Sequence, residues 1–133
     1  PSFECSILAT AVLSSAISIS SLFPYVGFMV VDLGLVDDVN DAGELSNQRV
    51  FFDVNDQDIA GAADGMKIDV NGNIFATGPG GVWVFDSEGN HLGNINPPEL
   101  PANVAWGGDG SDLYMTARTG LYRISLTTQG VIP

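Results

Sequence analysis

Basic residues are almost missing from this chain. Among 133 residues there are four, Arg49, Lys67, Arg118 and Arg123, against sixteen carboxylates, for a formal net charge of −12. Proteins that grip nucleic acid do so with clustered Lys and Arg, so no nucleic-acid partner is expected. The same acidity opposes an anionic membrane surface. It suits either a solvated acidic surface or a divalent cation. Cys5 is the single cysteine, which excludes an internal disulfide and a cysteine zinc site. That is consistent with a reducing compartment, the cytoplasm being favoured over export. His91 is the single histidine, and no Gly-x-Ser-x-Gly elbow accompanies it, so a Ser-His-Asp hydrolase has no support. Gly78-Pro79-Gly80-Gly81 lacks the Gly-Lys-Ser/Thr of a phosphate loop and reads as a tight turn. Asp38-Val39-Asn40-Asp41-Ala42-Gly43 starts like an EF-hand. However, Ala42 occupies a ligand position and Arg49 stands where the bidentate Glu belongs.

Charge is also absent from Cys5 to Val31, an uncharged stretch of 27 residues. Its length would fit a membrane span. Six serines dilute it, Glu4 precedes it, and no Lys or Arg flanks it, so the basic start of a signal peptide is missing. A buried or disordered soluble segment is one reading, a membrane or export segment a second, and a corrupted N-terminus a third. Within it, residues 7–19 lean to helix on their Ala and Leu content, although Ile17-Ser18-Ile19-Ser20 alternates like a strand. The chain opens on Pro1 rather than Met, as expected of a fragment, a processed form or a partial reading frame.

What the sequence does have is an internal repeat. Asp64 maps to Asn103, Ile74 to Leu113, Thr77 to Thr116, Gly81 to Gly120, Val82 to Leu121 and Asp86 to Ser125, all at an offset of 39 positions. A period of about 40 residues, with Gly and Pro punctuating every few positions, is that of a four-stranded propeller blade and leaves no room for helix pairs. The first repeat reads as strands over 66–69, 74–77, 82–85 and 91–95. The second reads as strands over 103–106, 112–116 and 120–126, with no fourth. Upstream, 28–33 and 49–53 read as strands, with a turn over 37–44 and a loop over 53–63. Asn71-Gly72 predicts a hairpin turn with positive φ at both central residues. About two and a half blades are expected, too few to close a ring. The open edges and uncovered faces of such a stack predict self-association.

Asp64, in Ala63-Asp64-Gly65-Met66-Lys67, stands at the entrance of an inner strand, where propeller residues face the central channel. There a carboxylate can ligate a divalent ion or act as a general base, or simply cap its own turn. Asn103 occupies the matching place one blade later, where its amide could ligate the same ion or bind a substrate hydroxyl. Trp83, Trp106, Tyr114 and Tyr122 read as packing between blades, His91 as a solvent-facing strand residue, and Arg118 as an exposed turn residue that could also hold a substrate carboxylate.

The segments ADGMKIDVNGNIFATGPGGVWVFDSEGNHLG and PPELPANVAWGGDGSDLYMTARTGLYRI resemble, in that order, the C-terminal part of the SMP-30/gluconolactonase/luciferin-regenerating-enzyme family. GELSNQRVFFD resembles the segment before them. The resemblance covers about residues 28–130 and is strongest over 63–125; residues 1–26 do not take part, so 27–133 is expected to form the partial propeller. It implies an all-β six-bladed β-propeller holding one divalent cation, calcium or sometimes zinc, and hydrolysing sugar lactones and related lactones. It implies that Asp64, in its Asp-Gly-Met motif, ligates the metal and serves as general acid/base. The family's other ligands, a Glu in the first blade and an Asn in a Pro-Asn-Gly motif, have no counterpart in this sequence. The expectation is therefore a fragment of a metal-dependent lactone hydrolase, inactive as an isolated chain. The alternative is a non-catalytic propeller segment used for binding or assembly.

Overall fold

The structure is a computed structural model. It describes residues 34–54 and 58–132, together with the backbone of 16–19, 25–30 and 33. Among the described residues there is no helix. The strands are β1 (Ala16–Ile19), β2 (Tyr25–Val30), β3 (Leu33–Val39), β4 (Leu45–Asp53), β5 (Met66–Ile68), β6 (Ile74–Gly78), β7 (Gly81–Phe85), β8 (His91–Ile95), β9 (Pro101–Gly107), β10 (Asp112–Ala117) and β11 (Leu121–Ser125). They form two four-stranded sheets, β1-β2-β3-β4 and β5-β6-β7-β8, and a three-stranded sheet, β9-β10-β11. Each sheet is an antiparallel meander of consecutive strands, the plan of a propeller blade.

The two repeats fold as the second and third sheets. Ile74 pairs with Phe85, and 39 residues later Leu113 pairs with Ile124. The helical lean over 7–19 fails where it can be seen, because Ala16–Ile19 is a strand on β2; residues 7–15 lie outside the described residues. The expected strand 28–33 is divided between β2 and β3, and β3 runs on through Asp37 and Asp38 into the expected turn. The partner strand makes this tolerable. Gln48 Nε2 donates to both oxygens of Asp37 at 3.4 and 3.3 Å, and Arg49 pairs with Asp38 at 2.9 Å.

The Asn71-Gly72 turn also departs from expectation. Gly72 has φ 86°, but Asn71 does not have a positive φ. Asp69 Oδ1 instead accepts the amides of Asn71 and Asn73, at 2.9 and 2.8 Å, and closes a wider turn. Asp86 does the same with Glu88 and Asn90, and Asn40 with Ala42 and Glu44. The three turns share one pattern, an Asp or Asn followed three residues later by Gly, because the side-chain oxygen replaces a backbone acceptor.

Alternation along β6 and β7 builds two cores. Ile74, Ala76, Trp83 and Phe85 face the first sheet and pack with Phe52, Val54 and Met66. Phe75, Val82 and Val84 face the third sheet and pack with Val104, Leu113 and Met115. The middle sheet is therefore buried on both faces, as a blade between neighbours must be. Phe52 stacks on Phe85 with centroids 4.4 Å apart, and Phe75 meets Trp106 edge-on at 5.0 Å. Trp83, Trp106 and Tyr122 join these interfaces as expected. Each buried Phe, Leu or Val contributes roughly 1.5–3 kcal/mol. Trp106 Nε1 donates to the carbonyl of Ile68 at 2.8 Å, adding a polar tie between blades. After β11 the chain returns to the second sheet. Val70 N donates to Gln129 O at 2.8 Å, and Thr128 Oγ1 donates to the fully buried Asp69 at 2.7 Å.

Candidate functional site

Thr77 sits at the end of β6 with no exposed surface. Its hydroxyl oxygen accepts the backbone amides of Asp64 and Gly65, at 3.0 and 2.9 Å, and its own amide donates to Gly65 O at 2.9 Å. Threonine suits this place because one hydroxyl can take two donors while its methyl fills the core. The loop entering β5 is thereby tied to the strand beside it, and Asp64 is exposed at its head.

The third sheet repeats this with a one-residue slip. The sequence offset equates Asp64 with Asn103. In space, however, Gly65 lies opposite Thr77, whereas Asn103 lies opposite Thr116. The cause is turn length: five residues, 69–73, separate Ile68 from its partner Ile74, and four, 108–111, separate Gly107 from Asp112. Pairing between β9 and β10 then passes from Thr116↔Asn103 to Ala117↔Pro101, so Ala102 forms a bulge. Bulges re-aim neighbouring side chains.

Asn103 is brought against Gly65. A Cβ on Gly65 would stand 2.1 Å from Asn103 Oδ1, which also accepts the Val104 amide at 2.8 Å. Asn103, on the third sheet, thus lies against the residue next to Asp64, and both Asp64 and Asn103 are exposed. Arg118 lies exposed in the β10–β11 turn, at the sheet end that carries Thr116 and Asn103. His91 is exposed on β8, but its ring stacks on Trp83 with centroids 4.7 Å apart.

Two residues at this end were not anticipated, Thr77 and Glu99. The Thr77/Thr116 match in the repeat was the available signal for the first. Glu99 accepts the Thr119 amide at 3.2 Å on Oε2 and the Thr119 hydroxyl on Oε1. The Thr119 hydroxyl, then its amide, hold the Glu99 carboxyl below the usual carboxylate range, and the Tyr122 hydroxyl adds to this. Burial, then the Glu99 charge, push the Tyr122 phenol up.

Among the described residues no three His, Cys, Asp or Glu converge to hold a metal ion. Calcium takes about 6–8 oxygens. Asp64 offers one carboxylate, and the Asn103 oxygen is already turned to Val104. These residues alone do not fit a cation.

A family model for the SMP-30/gluconolactonase/LRE-like region matches residues 35–119. The chain belongs to that family. Gluconolactonase of Zymomonas mobilis subsp. mobilis is 40% identical over 77 residues, covering 56% of this chain and 22% of that protein. A solved gluconolactonase from Xanthomonas campestris superposes with a TM-score of 0.67 at 27% identity, over 77% of this chain and 34% of that one. Regucalcin from Agrobacterium tumefaciens, a calcium-binding protein, shares the fold with a TM-score of 0.64 at 22% identity, over 80% of this chain and 43% of that one. The SMP-30/gluconolactonase-like chain thus spans less than half the length of each of these relatives, and its three sheets are part of a β-propeller.

Proposed function

We propose that this chain is the C-terminal part of a lactone hydrolase acting on sugar lactones or related lactones. The observation that supports the reading is the contact of Asn103 with Gly65, the residue next to Asp64, at the head of a Thr77-pinned strand. Asp64 is the proposed general base. Its carboxylate takes a proton from water as the water oxygen bonds to the lactone carbonyl carbon. The ring C–O bond then breaks, and the same proton passes to the departing ring oxygen, giving a hydroxy acid. Asn103 is the proposed substrate-binding residue, its amide hydrogens free to meet a hydroxyl while Oδ1 stays on Val104. The complete protein is proposed to hold a divalent cation, calcium before zinc because the donors are oxygens. Asp64 is then one ligand, with the others supplied from outside the described residues. The isolated chain is accordingly proposed to be inactive.

The test is Asp64→Asn in the complete protein, assayed on a panel of aldonolactones. Turnover should fall by roughly 100- to 10,000-fold, the usual share of a general acid/base, with an unchanged thermal midpoint. Unchanged turnover would remove Asp64 from the mechanism. No lactonase activity in the unmodified complete protein would favour a binding or assembly segment instead.

A further inference from the structure

The bulge at Ala102 is a weak point directly beside Asn103. A strand slipped by one residue turns each side chain to its opposite face, so something must hold β9 in register there. On the downstream side, the Thr116 hydroxyl donates to Asn103 O at 3.4 Å, a long bond. On the upstream side stands Glu99, in the β8–β9 connection. Its carboxylate holds Thr119 at both the amide and the hydroxyl. Thr119 is one of two residues spanning the β10–β11 turn, which Ala117 N closes onto Gly120 O at 2.9 Å. The Tyr122 ring lies against Gly120, where a Cβ would come within 2.9 Å of it. Glu99 therefore fastens the start of β9 to the far end of β10, across the one place where their pairing is interrupted.

We propose that Glu99 is a positioning residue: by clamping the β10–β11 turn it keeps the bulge at Ala102 in register and the Asn103 carboxamide against Gly65, one residue from Asp64. This deepens the lactonase reading, on which its kinetic consequence rests. Its structural consequence stands independently, because the Val104 amide bonds to Asn103 Oδ1 and reports where that side chain lies.

The experiment compares the complete protein with its Glu99→Ala and Glu99→Gln variants. Amide hydrogen exchange is followed at Thr119, Val104 and, as a control in the middle of β10, Tyr114. Glu99→Ala should speed exchange at Thr119 and Val104 and leave Tyr114 unchanged. Glu99→Gln keeps an acceptor for the amide and a donor for the hydroxyl, so it should restore most of the protection. On lactone substrate, Glu99→Ala should raise KM about tenfold, as expected for losing one substrate-binding contact, with kcat little changed. In an Asn103→Ala background that effect should disappear. Faster exchange at Thr119 with Val104 unmoved would overturn the proposal, as would full additivity of the Glu99 and Asn103 substitutions. If the unmodified protein lacks lactonase activity, the hydrolase reading fails, and the Val104 exchange alone decides for or against the clamp.

Discussion

Asn103 occupies the space that a side chain on Gly65 would need. The Asn103 oxygen is 2.1 Å from where a Gly65 Cβ would stand, and the Asn103 Cα is 3.0 Å away. The contact joins two consecutive blades at the residue next to Asp64. Glycine at position 65 is thus required by a neighbour on another sheet; its own φ is not positive.

Gly65→Ala should therefore injure the site more than the fold. The carboxamide can swing away, but the Asn103 backbone must also yield. A stability loss of roughly 1–3 kcal/mol is expected from overpacking. Lactone kcat/KM should fall further than that loss explains, about 100-fold for a displaced binding group. Thermal melts alongside kinetics check this, and a variant with wild-type kcat/KM would contradict it.

Asp69 and Asp86 close the same kind of turn in different surroundings. Asp69 is fully buried and also receives the Thr128 hydroxyl, which ties down the segment after β11. Asp86 serves only its own turn among the bonds seen here, through Glu88 and Asn90. Asp69→Ala leaves a buried gap and unpairs several part-buried donors, and should cost about 3 kcal/mol. Asp86→Ala should shift the denaturant midpoint much less. Equal shifts would show that the burial of Asp69 and its tie to Thr128 add nothing.

The Glu99 clamp should respond to acid. Its folded pKa lies below the ordinary value, so the carboxylate form is favoured by folding. The contribution is complete above the ordinary carboxylate range and is lost as pH falls through the depressed folded value. Tyr122 runs the other way: its raised pKa favours the neutral phenol, a contribution lost as pH rises through that raised value. The Thr119 amide resonance, followed from neutral to acid pH, should move with a midpoint below the ordinary glutamate value of about 4.3. A midpoint at or above that value would refute the assignment.

The open last blade should make the isolated 133-residue chain associate. Among the described residues, strand β11 pairs only with β10, so its other edge meets no described strand, and such an edge recruits other chains. Leu121 on that strand is 65% exposed. Light scattering should show oligomers or aggregates, and a lactone assay with added calcium or zinc should show no rate above buffer. A stable monomer with metal-dependent turnover would contradict both expectations.

The 39-residue repeat, the Gly-rich punctuation and the alternation in 74–77 and 82–85 were enough to specify antiparallel blades and their order. Those signals are local, since period-two alternation and turn residues act within a few positions of one another. Asp64 and Asn103 could be nominated the same way, as matching positions in a repeat. Their actual relationship could not, because it depends on a slip of one residue. The slip comes from a five-residue turn in one blade and a four-residue turn in the next, and from the bulge that answers it. Nor could the sequence reveal that β3 would absorb Asp37 and Asp38, since Gln48 and Arg49 on β4 make that possible. Residue spacing along the chain determined the blades. Register between strands, which only the packed sheets fix, decided which side chains meet.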